Sequence, residues 1–414
     1  MPHAHGDHRR HAPASRDPRA AWRRLRTADA LTKAIACTVA VIAVATVAGL
    51  VAFWPGHDRA AVDPALLAAH PLRATVTGVS RAPCTGTTEA DGQICVVATL
   101  RLHDAPPARP SPRGAGNAAV DPTLEETTQS ATRSLHAGDD IYVLATTRDD
   151  GTSTYSFYDY RRSSSLWLLT IVFAIAVVAL GRWRGLGALA GLAASLAVLV
   201  VFMLPSLLDG NNPVVVAVVA ASAIAFIALY FAHGVSVATS VALIGTFASL
   251  ALTAALSWVF VAAAKLSGYT DDSAFFVDTL GGRIELRGIL LAGFVIGALG
   301  VLDDVTVTQV SAVAELRAHT DGSPSRIFRA ALNIGRDHIS STVNTLFLAY
   351  AGAALPLLLL FSEAHQSTTS IAGREIVATE IVRSLVGSIG LVAAVPITTW
   401  LAVKALPDPN RGAA

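Results

Sequence analysis

Residues 297–317 read Gly-Ala-Leu-Gly-Val-Leu-Asp-Asp-Val-Thr-Val-Thr-Gln-Val-Ser-Ala-Val-Ala-Glu-Leu-Arg. Two adjacent carboxylates, Asp303 and Asp304, close an apolar run that begins near Gly288. Such a run approaches the ~20 residues a helix needs to cross a hydrocarbon core. Ionisable groups at that depth are costly unless they face a partner or water. The stretch therefore points to a membrane-spanning helix and marks the first place to look for function.

Composition agrees over the whole chain. Hydrophobic residues make up 53% and charged residues 15% of 414, with a net charge of +1, which excludes one ordinary soluble domain. About eight runs have spanning length, near 33–54, 166–182, 186–208, 213–232, 235–265, 288–304, 340–361 and 377–404. The fifth is long enough to tilt or protrude. These runs predict an all-α polytopic membrane domain of about eight helices.

Cations near the span ends set the orientation. The N-terminal tail carries Arg9, Arg10, Arg16, Arg19, Arg23, Arg24, Arg26 and Lys33, and alternation puts Arg182, Arg184, Arg317, Arg326, Arg329, Arg336, Lys404 and Arg411 on the same side. Arg161, Arg162, Arg283 and Arg287 fall opposite and weaken the contrast without reversing it. Both termini are expected in the cytoplasm, with the chain in the plasma membrane. Residues 1–32 then form a basic, disordered tail, 33–54 the first helix, 55–163 an outer domain, 164–404 seven further helices and 405–414 a short tail. Arg23-Arg24 invites a cleaved-leader reading, but the apolar stretch exceeds a usual signal core, and a retained anchor is expected. His3, His5, His8 and His11 have the spacing of a metal-binding tract or of a plain solvated tail.

The outer segment has short β-like runs at Ala74–Val79, Ile94–Leu102, Asp140–Ala145 and Ser153–Tyr158, where β-branched and aromatic residues alternate with polar ones. His136-Ala-Gly-Asp-Asp reads as a turn into a strand, and residues 104–122 as a Pro/Gly/Arg-rich loop. A small β-barrel or sandwich is expected between the first two helices. Cys84 and Cys95 fall within it at a spacing that a disulfide-closed hairpin accepts. An oxidising compartment favours the bond, and two free thiols are the open alternative. Cys37 reads as an apolar filler in the first span.

Wheel positions sharpen the membrane part. At 100° per residue, Asp304, Thr308, Ser311 and Glu315 fall within a sector of about 60°, while Asp303, Thr306 and Gln309 fall on other faces. Gly322-Ser323-Pro324 reads as a turn with Pro at the first position of a new helix. There Asn333, Asp337, Ser340 and Asn344 repeat the same spacing. Two such stripes on consecutive antiparallel helices can face each other and line one path. Carboxylate, amide and hydroxyl oxygens suit a hard cation, and a carboxylate in low dielectric suits a proton relay. The plainer reading is that Glu315 and Asp337 simply meet water, with Arg326, Arg329 and Arg336 touching anionic headgroups.

Weaker candidates have structural explanations. Glu380 and Arg383 stand at i, i+3 and form an expected internal pair. His233 ends a helix before Gly234. Gly187, Gly191, Gly293, Gly297 and Gly300 suit close helix packing. Arg184-Gly185 and Arg287-Gly288 hint at an inverted repeat. No phosphate loop, nucleophile elbow or HExxH helix is present, which weighs against ATP-driven transport and against an enzyme. The reading names no catalytic residue, cofactor, metal, protein partner or nucleic-acid partner. The partners it implies are the lipid bilayer and a cation or proton.

The run Gly297–Gln309 and the run Asn333-Ile-Gly-Arg-Asp-His-Ile-Ser-Ser-Thr-Val-Asn-Thr-Leu346 resemble the YibE/F-like multi-pass membrane proteins. Tyr158-Asp-Tyr-Arg-Arg162 and Leu166-Trp-Leu-Leu169 add to the likeness, which covers roughly 158–404. It implies a bacterial integral membrane protein and carries no ligand over to these positions. Three functions stay open. They are a transporter or channel using a path along the sixth and seventh spans, a non-transporting assembly or sensing protein whose outer domain binds a partner, and an intramembrane enzyme using Asp303 and Asp304.

Overall fold

The computed structural model describes residues 30–56, 71–83, 94–104, 123–127, 135–147, 153–269, 285–320, 322–356, 358–359 and 368–407. The expected basic tail, its histidines included, lies almost wholly outside them. The chain divides into two compact units, residues 61–179 and residues 1–60 with 180–414.

The smaller unit holds five strands: β1 (Leu72–Pro83), β2 (Ile94–Leu102), β3 (Thr123–Thr127), β4 (Asp140–Thr147) and β5 (Ser153–Tyr160). They close into a barrel in the order β1-β2-β3-β5-β4, with β1 returning to β4. Every pairing is antiparallel except β3 with β5. Alternation produces the core. Ala74 and Val76, Ala98 and Leu100, Ile141 and Val143 point inward and are buried, as the period of two in a half-buried strand requires. The expected turn is present at Gly138, whose φ of 99° suits glycine. Its N–H bonds the Val76 carbonyl at 2.8 Å, so the turn is stitched to β1. β3 was not among the expected strands. Its sequence, Thr-Leu-Glu-Glu-Thr, shows little alternation, and its one apolar residue, Leu124, is fully buried. Cys95 on β2 is disulfide-bonded, Cys37 is free, and Cys84 lies outside the described residues.

Helices make up the larger unit: α1 (Ala30–Ala52), α2 (Ser163–Ala197, which begins in the smaller unit), α3 (Pro213–His233), α4 (Val237–Ala263), α5 (Leu286–His319), α6 (Pro324–Ala353) and α7 (Glu375–Ala405). α2 is broken at Arg182, with φ 51° and ψ −127°, where two spans were expected to meet. It continues through a π-helical turn, Val198–Met203, to Leu208. Start signals are satisfied locally. The Asn212 side chain accepts from the backbone N–H groups of Val214 and Val215 ahead of Pro213, and Ser236 caps Thr239 at 3.0 Å. Among the described residues seven stretches are long and apolar enough to cross a membrane. The eighth expected run, 340–361, falls on α6 and on residues partly outside the description. α6 starts at Pro324, as the sequence suggests, although Ser323 makes no side-chain cap bond.

Small residues let these helices approach closely. A Cβ on Gly245 would collide with Thr398, and one on Gly390 with Thr253, so α4 and α7 cross nearly backbone to backbone. Ala217, Ala220, Ala221, Leu243, Ala298, Leu302, Leu391 and Ala394 fill the resulting core. At one end of the bundle the Glu375 carboxylate accepts from the N–H groups of Ser267 (2.6 Å) and Gly268 (2.7 Å). At the other end the Arg317 guanidinium donates to the carbonyls of Val403 and Leu406, beside a cluster of Val241, Val310, Val313, Ile327 and Ala402.

Candidate functional site

Two buried contacts fix the level of the paired carboxylates. The hydroxyls of Thr306 on α5 and Thr246 on α4 are 2.7 Å apart. Thr246 lies about 14 Å along α4, a helix of about 40 Å. α5 runs antiparallel to α4, so Asp304 sits about 17 Å from the Val237 end, close to the middle of α4. Below it, Gln309 accepts from the Thr399 hydroxyl at 2.9 Å. Gly335 of α6 lies against Gln309, where a Cβ would come within 2.7 Å of Nε2. Counting back up α6, Ser340 shares the level of Asp304 to within about a turn.

At that level the structure separates two polar faces of α5. Thr306 and Gln309 are fully buried among α4, α6 and α7. Asp304, Ser311 and Glu315 are exposed, and Thr308 and Asp303 are half-buried. On α6, Asn333, Asp337, Ser340 and Asn344 are all exposed. Both stripes, read from the sequence as able to face each other and line one path, thus carry exposed side chains. Gly335 lies against Gln309 and Gly297 beside the Tyr350 hydroxyl, so glycines facing an amide and a phenol mark the contact, and Asp304 and Asp337 stay exposed. Among the described residues no hydrogen bond or ion pair joins the two stripes. Thr308 and Ser340 donate to their own helix, to the carbonyls of Asp304 (2.7 Å) and Arg336 (3.2 Å), leaving oxygen lone pairs outward.

Glu315 is 77% exposed and lies 3.3 Å from His319 near the helix end. Asp304 stands at about the level of the middle of α4. α6 has the matching character. Ile327, Ala331 and Gly335 are buried, and Leu332, Ile339 and Val343 pack on the core. Its other side shows Asn333, Arg336, Asp337, Ser340, Ser341 and Asn344 to the exterior.

The buried face of α5 is the part that sequence reasoning missed. Thr306 and Gln309 differ little in polarity from Thr308 and Ser311, so wheel positions cannot rank the two faces. The glycine opposite, Gly335, was the available signal. Gln309 Nε2, Ser249 Oγ and Thr398 Oγ1 are buried without a hydrogen-bond partner among the described residues. Glu380 and Arg383 form the expected ion pair at 2.9 Å. No group of three or more His, Cys, Asp or Glu side chains that could hold a metal occurs among the described residues.

A family model described as YibE/F-like protein matches residues 169–408, more than half of the 414-residue chain. No curated protein and no solved structure matches it.

Proposed function

The chain belongs to the YibE/F-like family, and from that premise we propose that it is a transporter or channel of the bacterial plasma membrane. Its path follows the exposed polar faces of α5 and α6, along Asp304, Thr308, Ser311, Asn333, Asp337, Ser340 and Asn344. Asp303 is a half-buried neighbour, and Glu315 stands at the mouth. One observation carries this reading: the Asp304 side chain is exposed at about the level of the middle of α4, on a bundle whose outer surface also carries large apolar side chains such as Leu252, Phe347 and Ile389. A carboxylate there needs an aqueous surface. The cargo that fits is a cation, or a solute moving with a proton, since the outward groups are carboxylate, amide and hydroxyl oxygens. The cation distribution supports cytoplasmic termini, with residues 55–163 outside.

The exposure of both polar faces also favours a second reading, in which another protein's helices cover them and the chain assembles or senses without transporting. Purified protein in liposomes separates the two when proton and potassium fluxes are followed with entrapped dyes. Permeation predicts a flux that Asp304→Asn abolishes while insertion and thermal stability persist. A flux absent from wild type, or one unaffected in the variant, contradicts it.

A further inference from the structure

Strand β5 runs into α2 without slack. The Arg161 N–H still donates to the Asp140 carbonyl at 2.8 Å, which ends the barrel ladder. The Arg162 carbonyl already accepts from the Leu166 N–H at 3.0 Å, which starts the helix. A chain bends only through its φ and ψ angles, and no residue between barrel and helix is left with a free pair of them.

Side chains brace the same joint. Asp140 accepts from the Thr75 hydroxyl of β1 at 2.7 Å and lies 3.8 Å from Arg161 Nη1. Arg162 Nη1 donates to both Asp159 oxygens, at 2.8 Å and 2.9 Å. The same guanidinium lies 5.9 Å from the Tyr160 ring centroid. Exposed ion pairs add little stability, so the two backbone bonds set the stiffness and the side chains hold its direction. Arg161 and Arg162 each face an aspartate of their own unit, which suits a brace better than a site for an outside anion.

The far end of the span is built differently. After Gly181 the helix breaks at Arg182, with φ 51° and ψ −127°. Glycine reaches that conformation easily, whereas arginine is strained in it. Gly181 and Gly185 flank the break. Between joint and break run Ser163–Gly181, about 28 Å of helix, within a stretch long and apolar enough to cross a membrane.

We propose that the barrel and Ser163–Gly181 form one rigid lever that pivots at Arg182, so that a force on the barrel is carried along the span to the turn at its far end. The lever requires no flux, so it stands or falls independently of the path along α5 and α6.

Full-length protein in nanodiscs carries pairs of spin labels, in a Cys37→Ala background that keeps the disulfide of Cys95, and distances are read by double electron–electron resonance. Val79→Cys with Thr170→Cys spans the joint, and Val79→Cys with Ala264→Cys reaches from the barrel to α4. The lever predicts a distance distribution at least twofold narrower for the first pair than for the second. Arg182→Gly should broaden the second at least twofold and leave the first unchanged. Two glycines inserted after Arg162 should broaden the first at least twofold. A first pair as broad as the second, or one that the insertion leaves narrow, overturns the rigid joint. A second pair as narrow as the first, or one that Arg182→Gly leaves unchanged, overturns the pivot.

Discussion

The Thr306 hydroxyl on α5 lies 2.7 Å from the Thr246 hydroxyl on α4, and both residues are fully buried. That contact locks the register of the two helices and so sets the depth at which Asp304, half a turn away, meets the exterior. Replacing Thr306 with Val keeps the shape and removes the bond, and should cost about 1 kcal/mol, with Thr246 still donating to the Ala242 carbonyl. Thermal or denaturant unfolding in detergent checks this. A loss beyond about 3 kcal/mol would mean the contact does more than pair two hydroxyls.

Gly335 of α6 packs against Gln309 on the buried face of α5 and against Val395 of α7. A methyl group there meets Val395 Cγ1 at 2.5 Å and Gln309 Nε2 at 2.7 Å. Gly335→Ala should therefore destabilise the bundle by about 1–3 kcal/mol through overpacking, despite its better helix propensity. Gly293→Ala, where nothing lies within 4 Å, is the control and should be neutral or slightly stabilising. Equal behaviour of the two variants would contradict the packing described.

Asp303 and Asp304 should behave differently although they are neighbours. They point about 100° apart on α5, and only Asp304 is exposed. Asp304→Asn should abolish flux, whereas Asp303→Asn should leave at least about a tenth of it, a barrier change under about 1.4 kcal/mol. Equal, complete loss in both variants would favour joint acid–base chemistry instead.

On the barrel, Asp104 accepts from Arg73 Nε (3.0 Å), Nη2 (2.8 Å) and backbone N–H (3.0 Å). The Arg73 hydrogen bonds hold its carboxyl down at about 2, below the ordinary 3.8. Because the folded value is the lower one, the stabilisation is complete above the unfolded value and is lost as pH falls through the folded one. Amide hydrogen exchange of β1 in the full chain should show wild type better protected than Asp104→Asn near neutral pH. The advantage should fade from about pH 4 towards about 2. A difference that persists at the acid end would exclude this pair as its source.

We expect Cys95 to be bonded to Cys84. A non-reducing digest should yield the two peptides linked, and reduction should cost the barrel about 2–4 kcal/mol. Alkylation of both thiols without prior reduction would contradict the pairing.

Much of this architecture was legible from residue patterns, and the gaps have physical reasons. Alternation marked four of the five strands because each sends two or more apolar side chains inward. β3 escaped because Leu124 is its only apolar residue. Apolar length marked the long helices, and the break at Arg182 fell where cations interrupt the run. α6 was the hard case. Its polar face lowers the mean hydropathy that a span is recognised by, so the expected run began at Ser340 rather than at Pro324. Polar periodicity found Asp304 and Asp337 but could not say which polar face of α5 is buried. That choice is made by Gly335, whose missing side chain admits Gln309.

The central claim is that the outward faces of α5 and α6 are wet at mid-membrane depth. Single cysteines placed at residues 303–315 and 333–345, in a background lacking Cys37, Cys84 and Cys95, test it with a membrane-impermeant thiol reagent. The account predicts labelling at 304, 308, 311, 333, 337, 340 and 344, with protection at 306, 309 and 335. Uniform protection would make these faces dry contacts and contradict the path. Labelling all round would contradict the buried seam that sets its depth.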